Sequence, residues 1–445
     1  MNLTTYEELF LKCIKEGLKS DPKPIEDLME LDEDGFFYLF EEGSRQSLLP
    51  VLYEGIRATV FQKNSVKGNE DLRSEKKDWR SEKENLHQES VDSFHKGSLE
   101  VGKEILQRIS TVERKKTLGM YHLFAEMNRA IQALQESGFS VCVLKGPTVG
   151  VFYPMVEYRK SGDIDLWLKD VDAFGEEFER AAAVLEGLGY KKDEKMDSIY
   201  HVGFYNSKGL EIELHIALTG EFSNRHLNEV MKGYTESLRK KDFSTVNVLT
   251  YEYPTLAKED LIFYNLLHML HHFTTKGFGW KFICDWSMMF QKKRSSNEEV
   301  ALFHLLEEAH LLDFSEAVSL LAVEYMGLKK ENVAFLLSGE ISKEVVLHLA
   351  KELFEAGELG QMDKNRMLRP ERGHVFSLCK LFHIQMKKNY PKASKVCLLW
   401  IVLWPATLIR FIKNNHTIRK VSTKEVLKEA LNRGKTTESL HLYRR

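Results

Sequence analysis

The chain has 445 residues, of which 43% are hydrophobic and 29% charged, with a net charge of −3. That is enough apolar side chain for a sizeable core and enough length for two or three domains. It carries no global basic field of the kind that marks nucleic-acid binders. The five cysteines, at positions 13, 142, 284, 379 and 397, are odd in number and include no C-x-x-C pair. That argues against a disulfide framework or a structural zinc site and favours a reducing compartment.

Taken in order, the opening M-N-L-T-T-Y-E-E-L-F lacks the basic start and apolar stretch of a signal peptide, so the expected location is cytoplasmic. Residues 1–61 read as an N-terminal helical region. Leu9, Phe10, Cys13 and Ile14 fall at helical spacing, and Asp21-Pro22-Lys23-Pro24 breaks the pattern. Residues 62–98 mix charges of both signs with few apolar side chains and predict a flexible or solvated helical insert. A core follows over 99–250 and a C-terminal helical domain over 251–445.

Within the core, 99–136 predicts a long helix closed by Ser137-Gly138, and 139–144 a short strand. Lys145-Gly146-Pro147-Thr148 opens a second helix running to about Tyr153, because Pro suits a first helical turn. A strand at 164–168 precedes a helix capped by Asp170 or Asp172 and ending at Gly187 or Gly189. Residues 200–205 and 210–217 predict two strands, joined as an antiparallel hairpin by the tight link 206–209. From Tyr251 the chain reads as helical to its end, with 259–272 and 280–291 the first two helices and 358–372 a loop. The apolar run 396–409 is about 14 residues, short of the roughly 20 that a spanning helix needs, and contains Pro405. The expectation is a buried or capping helix of the last domain. Lys392, Lys395, Arg410 and Lys413 flank it, so a peripheral membrane helix is the alternative.

The stretch R-K-S-G-D-I-D-L-W-L over 159–168 carries the chemistry. Asp163 and Asp165 are two apart, so on a strand they share a face, where their like charges repel unless a cation lies between them. Oxygen ligands point to a divalent ion, Mg²⁺ above all. A polar turn capped by Asp163 is the bland alternative. The strand L-E-I-E-L-H-I-A sets Glu211, Glu213 and His215 on one face and Ile212, Leu214 and Ile216 on the other. Paired beside 164–168, it would bring a third carboxylate to the same place.

The order helix, strand, Lys-Gly turn, helix, D-x-D strand, helix, hairpin with E-x-E-x-H resembles the minimal core of the polymerase-β-like nucleotidyltransferase superfamily. Leu144-Lys145-Gly146, Tyr153-Pro154, Arg159, Gly162-Asp163-Ile164-Asp165-Leu166, Gly189-Tyr190 and Ile212-Glu213-Leu214-His215 resemble one branch of it, a bacterial nucleotidyltransferase family left uncharacterised. His268, His271 and His272, followed by Trp280-Lys281 and Asp285, look like that family's later stretch. The implied fold class is α+β: a small mixed β-sheet flanked by largely helical N- and C-terminal regions.

The resemblance implies transfer of a nucleoside monophosphate from an NTP, with ATP expected, to an unidentified acceptor that could be a small molecule, peptide or protein. Two metals, Mg²⁺ or Mn²⁺, would serve an in-line displacement. Asp163, Asp165 and Glu213 would be catalytic metal ligands, with Glu213 a possible base and Glu211 the competing third carboxylate. Lys145, Gly146, Thr148, Arg159 and Gly162 would hold the nucleotide, Arg159 as a bidentate phosphate clamp. His215, His268, His272, Lys281 and Asp285 would line the pocket. His215 reads equally as a hydrogen-bonded histidine at a sheet end. The sequence departs from the family where Glu213 replaces an Asp, and from the wider superfamily where Gly146-Pro147 replaces Gly-Ser. These departures keep a second function open: a nucleotide-binding protein with weak or no catalysis.

Overall fold

The computed structural model describes residues 2–61, 98–193, 200–275, 277–358, 368–390 and 393–442. The charged segment 62–98 falls, but for Ser98, outside these residues. The chain divides into two compact units. One comprises residues 4–44 and 48–116; the other comprises residues 1–3, 45–47 and 117–445.

The smaller unit is helical. It holds α1 (Thr5–Gly17), α2 (Glu33–Arg45, whose last residue falls in the other unit), α3 (Leu49–Val60) and the first half of α4 (Ser98–Glu136). Thr4 and Glu7 form a reciprocal capping box at the start of α1. Phe10, Cys13 and Ile14 of α1 and Val51, Leu52 and Ile56 of α3 are buried, as the helical spacing predicts.

The larger unit is built on a seven-stranded mixed sheet, and the α+β expectation holds. Its strands are β1 (Val141–Val143), β2 (Asp163–Leu168), β3 (Lys191–Lys192), β4 (His201–Tyr205), β5 (Glu211–His215), β6 (Ser244–Val248) and β7 (Tyr251–Thr255). They lie in the order β3-β4-β5-β2-β1-β7-β6. β2 and β5 are parallel, as are β1 and β7; the other neighbours are antiparallel. Period-2 alternation decides the two faces. Ile164, Leu166 and Leu168 of β2 and Ile212 and Leu214 of β5 join one core with Phe124, Met127 and Ile131 of α4 and with Phe178 and Leu185 of α6 (Glu176–Gly187). The other face carries the carboxylates.

Several local expectations need correction. Residues 251–255 are strand β7, not the start of the helical part; the alternating Tyr251-Glu252-Tyr253 packs its second ring into the sheet core, where Tyr253 Oη donates to the Phe124 carbonyl at 2.8 Å. The helix after β2 begins at Glu176, beyond Asp170 and Asp172, with Gly175 as its N-cap. Its acidic first turn, Glu176, Glu177 and Glu179, supplies charge that favours that end. The helix predicted from Pro147 is a single turn, α5 (Pro147–Gly150). The β4–β5 hairpin forms as predicted, with the Asn206 side-chain oxygen accepting from the Lys208 and Leu210 amides at 2.9 and 3.0 Å.

Downstream lie α7 (Arg225–Arg239), α8 (Lys258–Thr274), α9 (Trp280–Met289), α10 (Ser296–Glu308), α11 (Leu312–Tyr325) and α12 (Lys343–Ala356). After them come α13 (Val375–Asn389), α14 (Trp400–Lys413) and α15 (Thr423–Ser439). The expectation of a buried helix at 396–409 fails: Leu398 and Ile401 are 81% and 76% exposed.

Candidate active site

The site is assembled where β2 and β5 run side by side. Their parallel register sets Asp163 opposite Glu211 and Asp165 opposite Glu213. Asp163, Asp165 and Glu213 each offer an oxygen, and these oxygens lie within 4.8 Å of one another. The longer arm of Glu213 still reaches the pair. Glu211, the competing choice, turns to the phenol of Tyr205, which donates to it. Leu144 continues β1 by donating its amide to the Asp165 carbonyl at 3.1 Å, which brings Lys145 beside the aspartates. The Lys145 ammonium sits 3.2 Å from Asp163 Oδ2 and 3.2 Å from Asp165 Oδ1. Gly146 then turns the chain at φ +80°, a conformation that L side chains rarely adopt, and a Cβ there would lie 3.1 Å from Ser161 Oγ.

These groups line a cavity of about 540 Å³. Gly146, Gly162 and Lys160 lie on its wall, Tyr264, His268, His271 and His272 come from α8, and Lys281, Phe282 and Asp285 come from α9. The expected pocket residues His215, His268, His272, Lys281 and Asp285 thus reach one cavity. Thr148 does not: its side chain is buried behind the wall, with Oγ1 lacking a hydrogen-bond partner among the described residues, so the expected hydroxyl contact falls away.

Arg159 lines the cavity, but its fork is already closed. Nε and Nη2 donate to Asp285 Oδ1 and Oδ2 at 3.0 and 2.9 Å, and Tyr153 Oη donates to the same carboxylate at 2.7 Å. The expected phosphate clamp is instead a buried Tyr–Asp–Arg knot that ties the 153–162 loop to α9. Lys281 is likewise paired with Glu358, just past α12. His268 and His272 face each other, Nε2 to Nε2, at 3.2 Å.

Sequence reasoning passed over Glu358, Tyr200, His201 and Tyr264, all of which line the cavity. His201 had a usable signal, since the hairpin register sets it opposite His215. Glu358 had none, being an isolated acid in a loop.

A sequence model described as an uncharacterised nucleotidyltransferase matches residues 44–327, well over half of the chain. The chain belongs to this nucleotidyltransferase family. Comparison with curated proteins finds no match. The family match ends before α12, so Glu358 is a contribution to the cavity from outside the matched stretch.

The site is electrostatically tight. Burial opposes charge on Lys145, but the two aspartates outweigh it and hold the ammonium charged, well above the usual lysine range. Burial pushes the Asp163 carboxyl up, and Lys145 more than offsets that, leaving it lowered. Burial raises the Asp165 carboxyl despite Lys145. His215 Nε2 lies 3.3 Å from both Asp165 Oδ1 and Glu213 Oε2. Burial works against its charge, but these two carboxylates lift its pKa to about 9. Burial opposes charge on Glu213 too, yet the adjacent His215 and further neighbouring positive charge bring it down to about 2. His201, desolvated and stacked on His215, falls to about 4.

The residues fit a divalent ion. Asp165 Oδ2 is buried without a hydrogen-bond partner among the described residues, an acceptor that a cation would satisfy. The donor set is hard oxygen, the chemistry of Mg²⁺ and Mn²⁺ rather than of thiolate-bound metals. His201, Glu213 and His215 also place donor atoms within 4.8 Å of one another, but that group shares Glu213 with the carboxylate set.

Proposed function

We propose that the protein is a metal-dependent enzyme that transfers a nucleoside monophosphate from an NTP, with ATP the first substrate to test, to an acceptor seated among the α8 and α9 side chains. The observation that carries this reading is the triad Asp163, Asp165 and Glu213 on the wall of a cavity of about 540 Å³. A nucleotide fits within the usual range of ligand cavities, about 300–1,000 Å³. Divalent ions held by the triad, Mg²⁺ or Mn²⁺, would offset charge on the attacking and leaving oxygens.

The chain's own groups supply the rest. Lys145 offsets one of the two aspartate charges before substrate arrives, and its ammonium is within reach of a phosphate once those carboxylates are otherwise neutralised. Gly146 keeps the backbone beside the cavity bare of side chain. Arg159 and Asp285 hold the metal loop in place rather than contacting the nucleotide. Glu213, ionised far below neutral pH, suits a ligand better than a proton acceptor, whose ideal pKa lies near the working pH.

Asp165→Asn should lower pyrophosphate release from NTP about 10²–10³-fold, the scale of losing one charge-stabilising group, with the melting temperature retained. Unchanged turnover would refute the reading. Lys145 also favours a second reading, a nucleotide binder without transfer, because an internal cation already bridges the two aspartates. Calorimetry separates the two: NTP binding with no pyrophosphate released under Mg²⁺ or Mn²⁺, with or without cell extract as acceptor, supports the binder.

A further inference from the structure

Between Glu371 and Glu425 the chain carries eleven Lys or Arg residues and no Asp or Glu. The rest of the chain holds 52 basic and 66 acidic residues, so the charge of opposite sign is concentrated in one segment. That segment contains α13 and α14. A helical run at Cys397–Thr417 is long and apolar enough by composition to cross a membrane, and only 6% of its most apolar window is buried.

The run is two-sided. Trp400 and Trp404 stand against His383 of α13, Phe411 meets Phe382 with ring centroids 5.0 Å apart, and Thr407 is buried. On the other side Leu398, Ile401, Val402, Leu408, Ile409 and Ile412 are exposed. These positions recur every three or four residues, so they form one stripe of a helix. Pro405 lies in the same stripe and is exposed. Lys395, Arg410, Lys413 and Lys420 are exposed on the same segment.

We infer that α14 and its basic flanks form a docking surface for an anionic lipid membrane, on which the helix lies with its apolar stripe in the interface. The charge selects this occupant. A second copy of the chain would set one acid-free basic segment against another, whereas an anionic headgroup layer complements it. The packed side of α14 rules against a span, because a helix crossing a bilayer meets lipid or other spanning helices all round. This inference does not depend on the proposed catalysis.

Flotation of the full-length protein tests it, with vesicles of phosphatidylcholine alone or mixed with phosphatidylglycerol. The protein should float with the mixed vesicles at low salt, at least about tenfold more than with phosphatidylcholine, and be released by high salt. The variant Leu398→Asp/Ile401→Asp/Ile409→Asp should lose that binding while melting as the parent does, since all three side chains are exposed. Lys395→Glu/Lys413→Glu should lose it as well. Flotation with neither vesicle, or equal flotation of the variants, would overturn the inference. So would a concentration-dependent dimer that the triple variant abolishes, or membrane association that resists carbonate extraction.

Discussion

Lys145 is the residue on which the site turns. Its ammonium is 3.2 Å from both aspartates, so it occupies the electrostatic position that a divalent ion would take. Lysine and metal therefore compete. Lys145→Ala should tighten binding of Mn²⁺ alone by about tenfold or more, since a charge-assisted hydrogen bond is worth about 1.5–3 kcal/mol and each 1.4 kcal/mol is tenfold. The same variant should weaken NTP binding, because a cation near the phosphates is lost. Isothermal titration with metal alone and then with NTP checks both signs, and equal metal affinity would contradict the competition. Arg159 and Asp285 show the opposite case, a buried pair whose remaining bonds go to Tyr153 and Ser161, and the arginine side chain is only 7% exposed. Removing one partner of such a pair leaves a buried charge uncompensated.

Among the elements, α9 and α10 are held by different devices. Gln46 Oε1 accepts from the Trp280 amide at 2.8 Å and so caps the start of α9. A Cβ on Gly279 would come within 2.5 Å of the Gly357 carbonyl, so that approach requires glycine. α10 is capped by a reciprocal pair, with the Glu298 carboxylate accepting from the Ser295 amide at 2.7 Å and from its hydroxyl at 2.8 Å. Those two bonds hold the Glu298 carboxyl down to about 2, from an ordinary value of 4.5. A depressed folded-state pKa means that the stabilisation is complete above 4.5 and is lost as pH falls through about 2. Glu298→Gln should therefore flatten the fall in stability across that window. Denaturant melts at pH 5 and at about pH 3 test this; identical pH dependence in both proteins would refute it.

At the scale of the whole molecule, metal binding is folding free energy. The three carboxylates come together only in the folded sheet, so an ion that binds them stabilises the native state by mass action. At a hundred times the dissociation constant the gain is about 2.7 kcal/mol. Mn²⁺ should raise the melting temperature by a few degrees, about the shift such a gain gives a chain of this size. Asp163→Asn and Glu213→Gln should each abolish the rise. A shift that persists in both variants would place the ion elsewhere.

The sequence by itself determined the alternation of β2 and β5, the shared face of Asp163 and Asp165, the hairpin and the family. The first three are written in residues a few positions apart, where strand and turn periodicity act, and the family in the order of short motifs along the chain. Strand β7 escaped because five residues with an internal proline give too short a pattern to set against the long helices that follow. The pairing of Arg159 with Asp285 joins residues 126 apart, and that of Lys281 with Glu358 joins residues 77 apart. No local rule announces such partners. The same holds for the apolar stripe of α14: composition marked it as fit to bury, and only the packed structure decided which side α13 covers and which side is left to solvent. Short-range chemistry set what each element could offer, and long-range contacts chose which offers were taken up.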